Sequence, residues 1–269
     1  MSALKKNTSP LKLDIAYSAF ESDFFNLRVF RSLGSDLPDA ETLRSFCLNE
    51  NIDLLRLKID ITQEENINNT LYNTGFPFFY SHSVMTVFAD YLHDELPAYK
   101  NENLAFEKYN RTKNKERFHD LVFNGMGDNP IGYYKTPLIN EYISKENEAH
   151  CYADYYTQLY DSSQKEKLAF LMSKDGKDAG VFVFELEGNS TIHTSMAALL
   201  PQHRSSGLFH DMKVFRQHYC IENGITNAYA GFRINNFHTP NSLLKTGYKI
   251  VRAEHIFHLP LLLSKHPVR

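Results

Sequence analysis

Residues 199–212 read LLPQHRSSGLFHDM: an apolar strand end, a proline, then Arg204, Ser205, Ser206 and Gly207, then Leu208, Phe209 and Met212 opening a helix. The first amides of a helix have no acceptor within it, and the helix dipole adds partial positive charge at that end. Small residues at 205–207 let a ligand approach the backbone, and Gly207 tolerates positive φ. Arg204 adds a permanent charge suited to phosphate oxygens. Together these fit an anion, most naturally a pyrophosphate. An ordinary strand–turn–helix connection with a surface arginine would have the same residues, and the loop alone does not choose. It is not a P-loop, because no Gly-Lys-Ser/Thr follows. Nor is it a dinucleotide fingerprint, because the three glycines are missing and the strands before it form a meander.

Other places hold groups that could move protons or bind. His193 lies on the strand entering the loop, and histidine is a residue type that suits a general base. A half-buried strand histidine bonded to a neighbouring carbonyl accounts for it as well. Asn236, in INNFHT, reads as a helix cap or as a side chain offered to a ligand. His255 and His258 on the last strand are three apart, face opposite sides and read as structural. RFHD at 117–120 has the spacing of neither a triad nor a metal site, and no other ligand cluster suggests a metal.

The elements that must position these residues follow from periodicity. Strands are expected at 26–32, 52–60 and 76–91, and helices at 39–51 and 62–75. Asp39 is a cap, Thr62 with Glu65 a capping box, and Gly75 a stop. The polar stretch 93–117 reads as an exposed linker with broken structure, which sets a domain boundary near 110. Residues 166–201 are three strands with turns at Asp175-Gly176 and Gly188-Asn189, an antiparallel meander. Leu208, Met212, Phe215 and Tyr219 form one helical stripe, and Asn223-Gly224 stops it. A strand (225–232), a short helix (235–247) and a long strand (248–261) complete the chain.

Composition narrows the class. With 42% hydrophobic residues among 269 the chain buries a sizeable core, and a formal charge of −3 with scattered basic residues argues against a nucleic-acid surface. Cys47, Cys151 and Cys220 are far apart and odd in number, which favours a reducing setting. No apolar run approaches the ~20 residues that cross a bilayer, and no signal peptide is visible. A cytoplasmic protein without membrane contact is expected.

The order meander, LLPQHRSSGLFHDM, helix, strand, NNFHTPNSLLKTGYK, strand resembles the GNAT superfamily of acyl-CoA-dependent N-acyltransferases. The likeness covers roughly residues 165–260. In that family Gln/Arg-x-x-Gly-x-Gly/Ala binds the coenzyme A pyrophosphate, and Arg204-Ser205-Ser206-Gly207-Leu208-Phe209 stands in its place, with Phe209 departing from the small residue. The resemblance implies that Ala198, Leu199 and Leu200 offer main-chain groups to the pantetheine arm, that a backbone N–H near Leu199 or Leu200 holds the oxyanion, and that Asn236 bonds the arm. The family's general-acid tyrosine falls on Leu243, so the thiolate leaves unaided or His238, Ser242 or another neighbour supplies the proton.

At the N-terminus, FESDFFNLRVFR resembles the Trp-Asp-Ser-Glu-Phe-Phe-Gly opening of the TDP-fucosamine acetyltransferases that decorate bacterial surface sugars such as O-antigen or capsule, with Phe20 for Trp and Asn26 for Gly. The implied fold is α+β: a GNAT domain at 111–269, its mixed, mainly antiparallel sheet flanked by helices, preceded at 1–110 by a smaller, degenerate GNAT-like half on the substrate side. The implied reaction acylates the amine of a TDP-linked amino-dideoxyhexose, such as a 3-amino-3,6-dideoxyhexose, using acetyl-CoA or a short acyl-CoA such as 3-hydroxybutyryl-CoA and no metal. Glu21 and Asp23 would hold sugar hydroxyls, Tyr133 and Tyr134 would stack on thymine, and Arg117 or Lys135 would meet the second pyrophosphate. The rival readings are a peptide or small-amine N-acetyltransferase and a non-catalytic acyl-CoA-binding protein. Either a monomer or a dimer is consistent with the pattern.

Overall fold

The computed structural model describes residues 14–90, 97–126, 143–160, 166–234, 241, 243–245 and 247–262. Two compact units divide the chain: Met1–Tyr80 with His255–Arg269, and Ser81–Glu254.

The first unit holds β1 (Ile15–Tyr17), α1 (Ala19–Phe25), β2 (Val29–Ser32), α2 (Ala40–Asn49), β3 (Leu54–Asp60) and α3 (Glu64–Thr74). β1 is antiparallel to β2, whereas β2 and β3 are parallel, as a helical crossover through α2 requires. Asp39 caps α2, accepting from the Thr42 N–H at 2.9 Å, and Gly75 ends α3 at φ 70°. Thr62 does not cap α3. Thr62 gives both its N–H (2.8 Å) and its hydroxyl (2.7 Å) to Asp60, and Gln63 occupies the helix cap instead. The aspartate two residues back competes locally and wins. Leu43 and Cys47 of α2 and Ile67 and Leu71 of α3 pack on Leu55, Leu57 and Ile59 of β3.

The second unit carries the candidate site. It comprises most of β4 (Phe79–Asp90), then β5 (Leu104–Lys108), α4 (Lys115–Met126), α5 (Lys145–Leu159), β6 (Lys167–Lys174), β7 (Lys177–Glu187), β8 (Thr191–Leu199), α6 (Leu208–Glu222) and β9 (Asn227–Arg233), and it ends within β10 (Lys249–Pro260). Strand order is β4-β9-β8-β7-β6-β5, antiparallel throughout except for the parallel β8–β9 pair. Asp175 (φ 51°) and Gly176 (φ 73°) close the β6–β7 hairpin with the doubly positive backbone that matches strand twist. One face of the sheet packs Phe182, Phe184, Ala228 and Ala230 on Leu208 and Met212 of α6. The other packs Val181, Val183 and Ala198 on Phe118, Leu121 and Val122 of α4 and Ala153 of α5. Each such large apolar side chain contributes about 1.5–3 kcal/mol on burial.

Two expectations change here. The stretch read as a linker contains β5, paired to β6 from Leu104↔Lys174 to Lys108↔Phe170. The units divide at Tyr80 and not near 110, because β4 pairs with β9 and β5 with β6, and the second half of β10 belongs with the first unit.

Candidate functional site

The parallel pairing of β8 with β9 runs from Thr191↔Asn227 to Thr194↔Ala230 and stops, although both strands continue. Beyond that point β8 stays paired with β7 as far as Leu199, and β9 stays paired with β4 as far as Arg233. The cause is a β-bulge at Ser195: Val183 faces Met196 while Phe184 faces Thr194, leaving Ser195 as the extra residue. A bulge bends its strand and increases the local twist, and here it lies immediately after the last β8–β9 pair. The result is a V-shaped opening in the middle of the sheet, with exposed Ala197 on one side and exposed Gly231 on the other.

Which main-chain groups face this opening follows from one hydrogen bond. The Leu200 N–H donates to the Ala179 carbonyl at 3.0 Å. Antiparallel alternation then aims the groups of Ala198 and Met196 at β7 and those of Ala197 and Leu199 at the opening. Of the three residues expected to offer main-chain groups to a ligand arm, Leu199 faces the opening. The main-chain groups of Ala198 face β7 and the Leu200 amide is bonded to Ala179, whereas those of Ala197 face the opening beside Leu199.

Past Leu199 the chain makes a 3₁₀ turn (Pro201–His203) and two left-handed residues, Ser205 (φ 63°) and Gly207 (φ 86°), before α6. Among the described residues the N–H groups of Ser205 to Phe209 have no acceptor; the first amide to find one is His210, on Gly207. The turn is exposed from Arg204 to Ser206, Gly207 and Phe209 are half-buried, and Leu208 is buried in the core. Its side chains turn away from those amides: Ser206 Oγ donates to the His203 carbonyl at 2.5 Å. Arg204 lies back across the end of α4, its Nη2 on the Gly125 carbonyl (3.2 Å) and its Nε 3.4 Å from the Leu199 carbonyl. The guanidinium thus flanks the mouth of the opening.

A latch from the β4–β5 connection holds the turn from the other side. Buried Asp211, in the first turn of α6, accepts from the Lys100 N–H (2.6 Å) and from Asn101 Nδ2 (2.7 Å). Asn101 also donates to the Ser206 carbonyl (3.2 Å) and accepts from Lys174 Nζ (2.8 Å). Sequence reasoning missed these residues; the polar run KNEN carries no periodic signal.

At the vertex of the V the two sheet faces differ. On the α4–α5 face, Glu185, His193, Tyr229 and Phe88 form one transverse row across β7, β8, β9 and β4. His193 Nε2 lies 2.8 Å from Glu187 Oε2, and its ring stacks on Tyr229 with centroids 5.1 Å apart. Its partner is a carboxylate and not the carbonyl the sequence allowed. Tyr160 donates to Glu185 at 2.5 Å, and burial together with that carboxylate raises its phenol strongly. Tyr156 OH reaches the carbonyl of the bulge residue Ser195 at 3.4 Å. On the α6 face, Arg216 Nη1 donates to Thr194 Oγ1 and its guanidinium sits 5.3 Å from the Tyr248 ring centroid. Lys213, one turn earlier, is buried too; burial, then Arg216 and Lys100, push its ammonium down to about 8.

The remaining expected residues scatter. Leu243 is buried in the α6-side core and has no proton to give. Arg117 is occupied: its Nε lies 2.8 and 3.0 Å from the two Asp178 oxygens and its Nη1 2.6 Å from Glu107, tying α4 to β7 and β5. A guanidinium so engaged is not offered to a pyrophosphate. Glu21 is buried and Asp23 exposed on α1 of the first unit. Tyr133, Tyr134, Lys135, Asn236, His238 and Ser242 lie outside the described residues. Among the described residues no three His, Cys, Asp or Glu side chains gather as metal ligands would, and no helix is long and apolar enough to cross a membrane.

Neither protein-family models nor curated proteins match the sequence. Solved structures do match in fold. A functionally unknown conserved protein from Staphylococcus epidermidis aligns over 93% of this chain and 92% of its own, at 11% identity and TM-score 0.60. A tandem GNAT protein from the clavulanic acid biosynthesis pathway aligns over 81% and 67%, at 10% identity and TM-score 0.53. A GCN5-related N-acetyltransferase from Kribbella flavida aligns over 86% and 81%, at 12% identity and TM-score 0.52. The split parallel pair, the meander before it and the helix that follows the exposed turn therefore belong to a GNAT fold: α+β, with a mixed, mainly antiparallel sheet flanked by helices.

Proposed function

We propose that this protein is an acyl-CoA-dependent N-acyltransferase. The observation that carries the reading is the opening between β8 and β9 leading to five adjacent amides, Ser205 to Phe209, without acceptors among the described residues. The coenzyme diphosphate would lie on those amides, beside Arg204, at the positive end of α6. The pantetheine arm would descend the V as a surrogate strand against Ala197 and Leu199. The span from Leu199 to Thr194 is roughly 16 Å at about 3.3 Å per residue. The thioester would then reach the vertex.

There the acceptor amine, neutral, attacks the thioester carbon; a C–N bond forms, the C–S bond breaks, and the nitrogen loses a proton. An open-edge N–H of β8 would hold the oxyanion. His193, with Glu187 2.8 Å from its Nε2, would take the proton directly or through water. With leucine at 243 the thiolate leaves unprotonated and collects its proton from solvent, which a good leaving group permits. His238 and Ser242 remain alternative proton donors.

For the acceptor we propose a TDP-linked amino-dideoxyhexose, on the likeness of FESDFFNLRVFR to sugar-nucleotide acetyltransferases. Glu21 and Asp23 would serve its hydroxyls and Tyr133, Tyr134 and Lys135 its thymidine diphosphate. Arg117 is better assigned to the ion-pair cluster that fixes α4. The donor is acetyl-CoA or a short acyl-CoA such as 3-hydroxybutyryl-CoA, and the setting a cytoplasmic one in surface-sugar synthesis.

Thiol release from acyl-CoA, measured against TDP-amino sugars, free amino sugars, peptides and small amines, tests this. Release with TDP-amino sugars alone supports the full reading. Release with peptides moves the acceptor to that class, and tight coenzyme binding with no release under any acceptor makes the chain a binding protein.

A further inference from the structure

His193 is held from two directions, and the hold selects one of its two nitrogens. Its Nε2 lies 2.8 Å from Glu187 Oε2. A carboxylate accepts and does not donate, so Nε2 carries the hydrogen and the lone pair of the neutral ring is on Nδ1. Glu185 stands opposite His193 in the register, but its carboxylate is engaged by buried Tyr160, and the imidazole turns to Glu187 instead. Glu187 faces Thr191, on the turn side of His193. Nδ1, whose lone pair diverges widely from the Nε2–H direction, is therefore left on the side of Thr194 and the vertex. One exposed contact would not keep it there: the Glu187 side chain is 77% exposed, and a pair so solvated holds little by itself. The second hold is Tyr229. Its ring lies 11° from parallel with the imidazole at a centroid separation of 5.1 Å, and packs in turn against Phe88 at 5.0 Å. A ring fixed at its edge and across its face keeps one orientation.

We infer that Glu187 and Tyr229 are positioning residues that present His193 Nδ1, as the proton-accepting atom, at the vertex. This deepens the proposed function and rests on it: the amine and the thioester must meet there for the orientation to matter. As the C–N bond forms, the amine proton passes to Nδ1, directly or through water. The imidazolium then carries hydrogen on both nitrogens, with the Glu187 carboxylate against Nε2–H. The thiolate departs and Nδ1 returns its proton to solvent. The acceptor nitrogen must therefore come from the α4–α5 face.

NMR of the imidazole nitrogens in the full chain tests the assignment without any substrate. At a pH where the ring is neutral, His193 is expected to be a single tautomer with hydrogen on Nε2, its ring protons displaced by the Tyr229 ring current. Glu187→Ala is expected to give a mixture of tautomers. Tyr229→Ala is expected to lose the ring-current displacement and Tyr229→Phe to keep it. In thiol release from acetyl-CoA with TDP-amino sugars, Glu187→Ala and Tyr229→Ala are expected to lower kcat about 10-fold or more, part of the roughly 10²–10⁴ that a general base supplies, with the KM for acetyl-CoA within about threefold. Hydrogen on Nδ1, or a mixture of tautomers in the unaltered protein, overturns the inference while leaving the acyltransferase reading intact, and needs no variant to fold. A kcat unchanged by Glu187→Ala overturns it as well. Absence of thiol release by the unaltered protein with every acceptor overturns the proposed function, and with it the role in proton transfer, whatever the tautomer.

Discussion

Replacing Asp211 by alanine tests the latch over the start of α6. The carboxylate is fully buried, and its two oxygens accept from the Lys100 N–H at 2.6 Å and from Asn101 Nδ2 at 2.7 Å. Alanine leaves both donors without their acceptor. An orphaned buried donor costs about 1–3 kcal/mol, but Lys100 is exposed, so water reaches it and the lower end applies. Loss of a negative charge in the first helical turn adds about 0.3–1 kcal/mol. The expected destabilisation is therefore about 2–3 kcal/mol. Asp211→Asn keeps one acceptor but turns an NH₂ towards a second donor. Unless the Asn101 amide flips, the contact is repulsive; if it flips, Lys174 loses its acceptor. About 1–2 kcal/mol is expected for it. Urea unfolding gives the total, and amide hydrogen exchange over 97–103 locates it, because release of the latch accelerates exchange there first. A change below about 0.5 kcal/mol for the alanine variant, or a large change without faster exchange in that segment, refutes the reasoning.

Two further outcomes are expected. A Cβ at Gly180 would lie 2.5 Å from the Ala198 carbonyl and 2.8 Å from Leu199 and Met212 side-chain atoms, so Gly180→Ala pushes β8 out of place; it should cost about 1–3 kcal/mol and weaken coenzyme A binding measured by calorimetry. For Lys213 the folded chain gives up its proton near 8 and the unfolded chain at the ordinary 10.5, so between those values the unfolded state binds more protons at this group and its contribution to stability rises with pH, by about 2 kcal/mol from pH 8 to 10. Above pH 10 the raised phenol of Tyr160 acts in the opposite sense, since the unfolded chain ionises first. Burial also raises the Cys47 and Cys220 thiols, to about 12 and about 11, which lowers stability above about pH 9. The Lys213 contribution is therefore read as the difference in urea midpoint between the unaltered protein and Lys213→Met, which should change steadily in favour of the unaltered protein from pH 8 to 10.

Local chemistry written in adjacent residues was legible. Asp39, Gly75 and the Asp175-Gly176 turn act as their residue types require, and the stripe Leu208, Met212, Phe215, Tyr219 does face the core. What escaped depends on distant pairing. β5 hides in a polar run because it is an edge strand with only Leu104 and Phe106 half-buried, and α5 because Glu148 is buried among its apolar residues and blurs the period. The site divided along the same line. The exposed turn could be read from its small residues, but the opening beneath it comes from one bulge residue, Ser195, whose effect depends on the register of β7 and β9. The fate of Arg117 likewise lies with Asp178, 61 residues away.

A ¹⁵N–¹H NMR titration with coenzyme A tests the central claim most directly. Shifts concentrated at the amides of Ser205, Ser206 and Gly207, and at Ala197 and Leu199 down the arm of the V, are the predicted result. Saturable binding that leaves those five amides unmoved, or no binding at all, would contradict it.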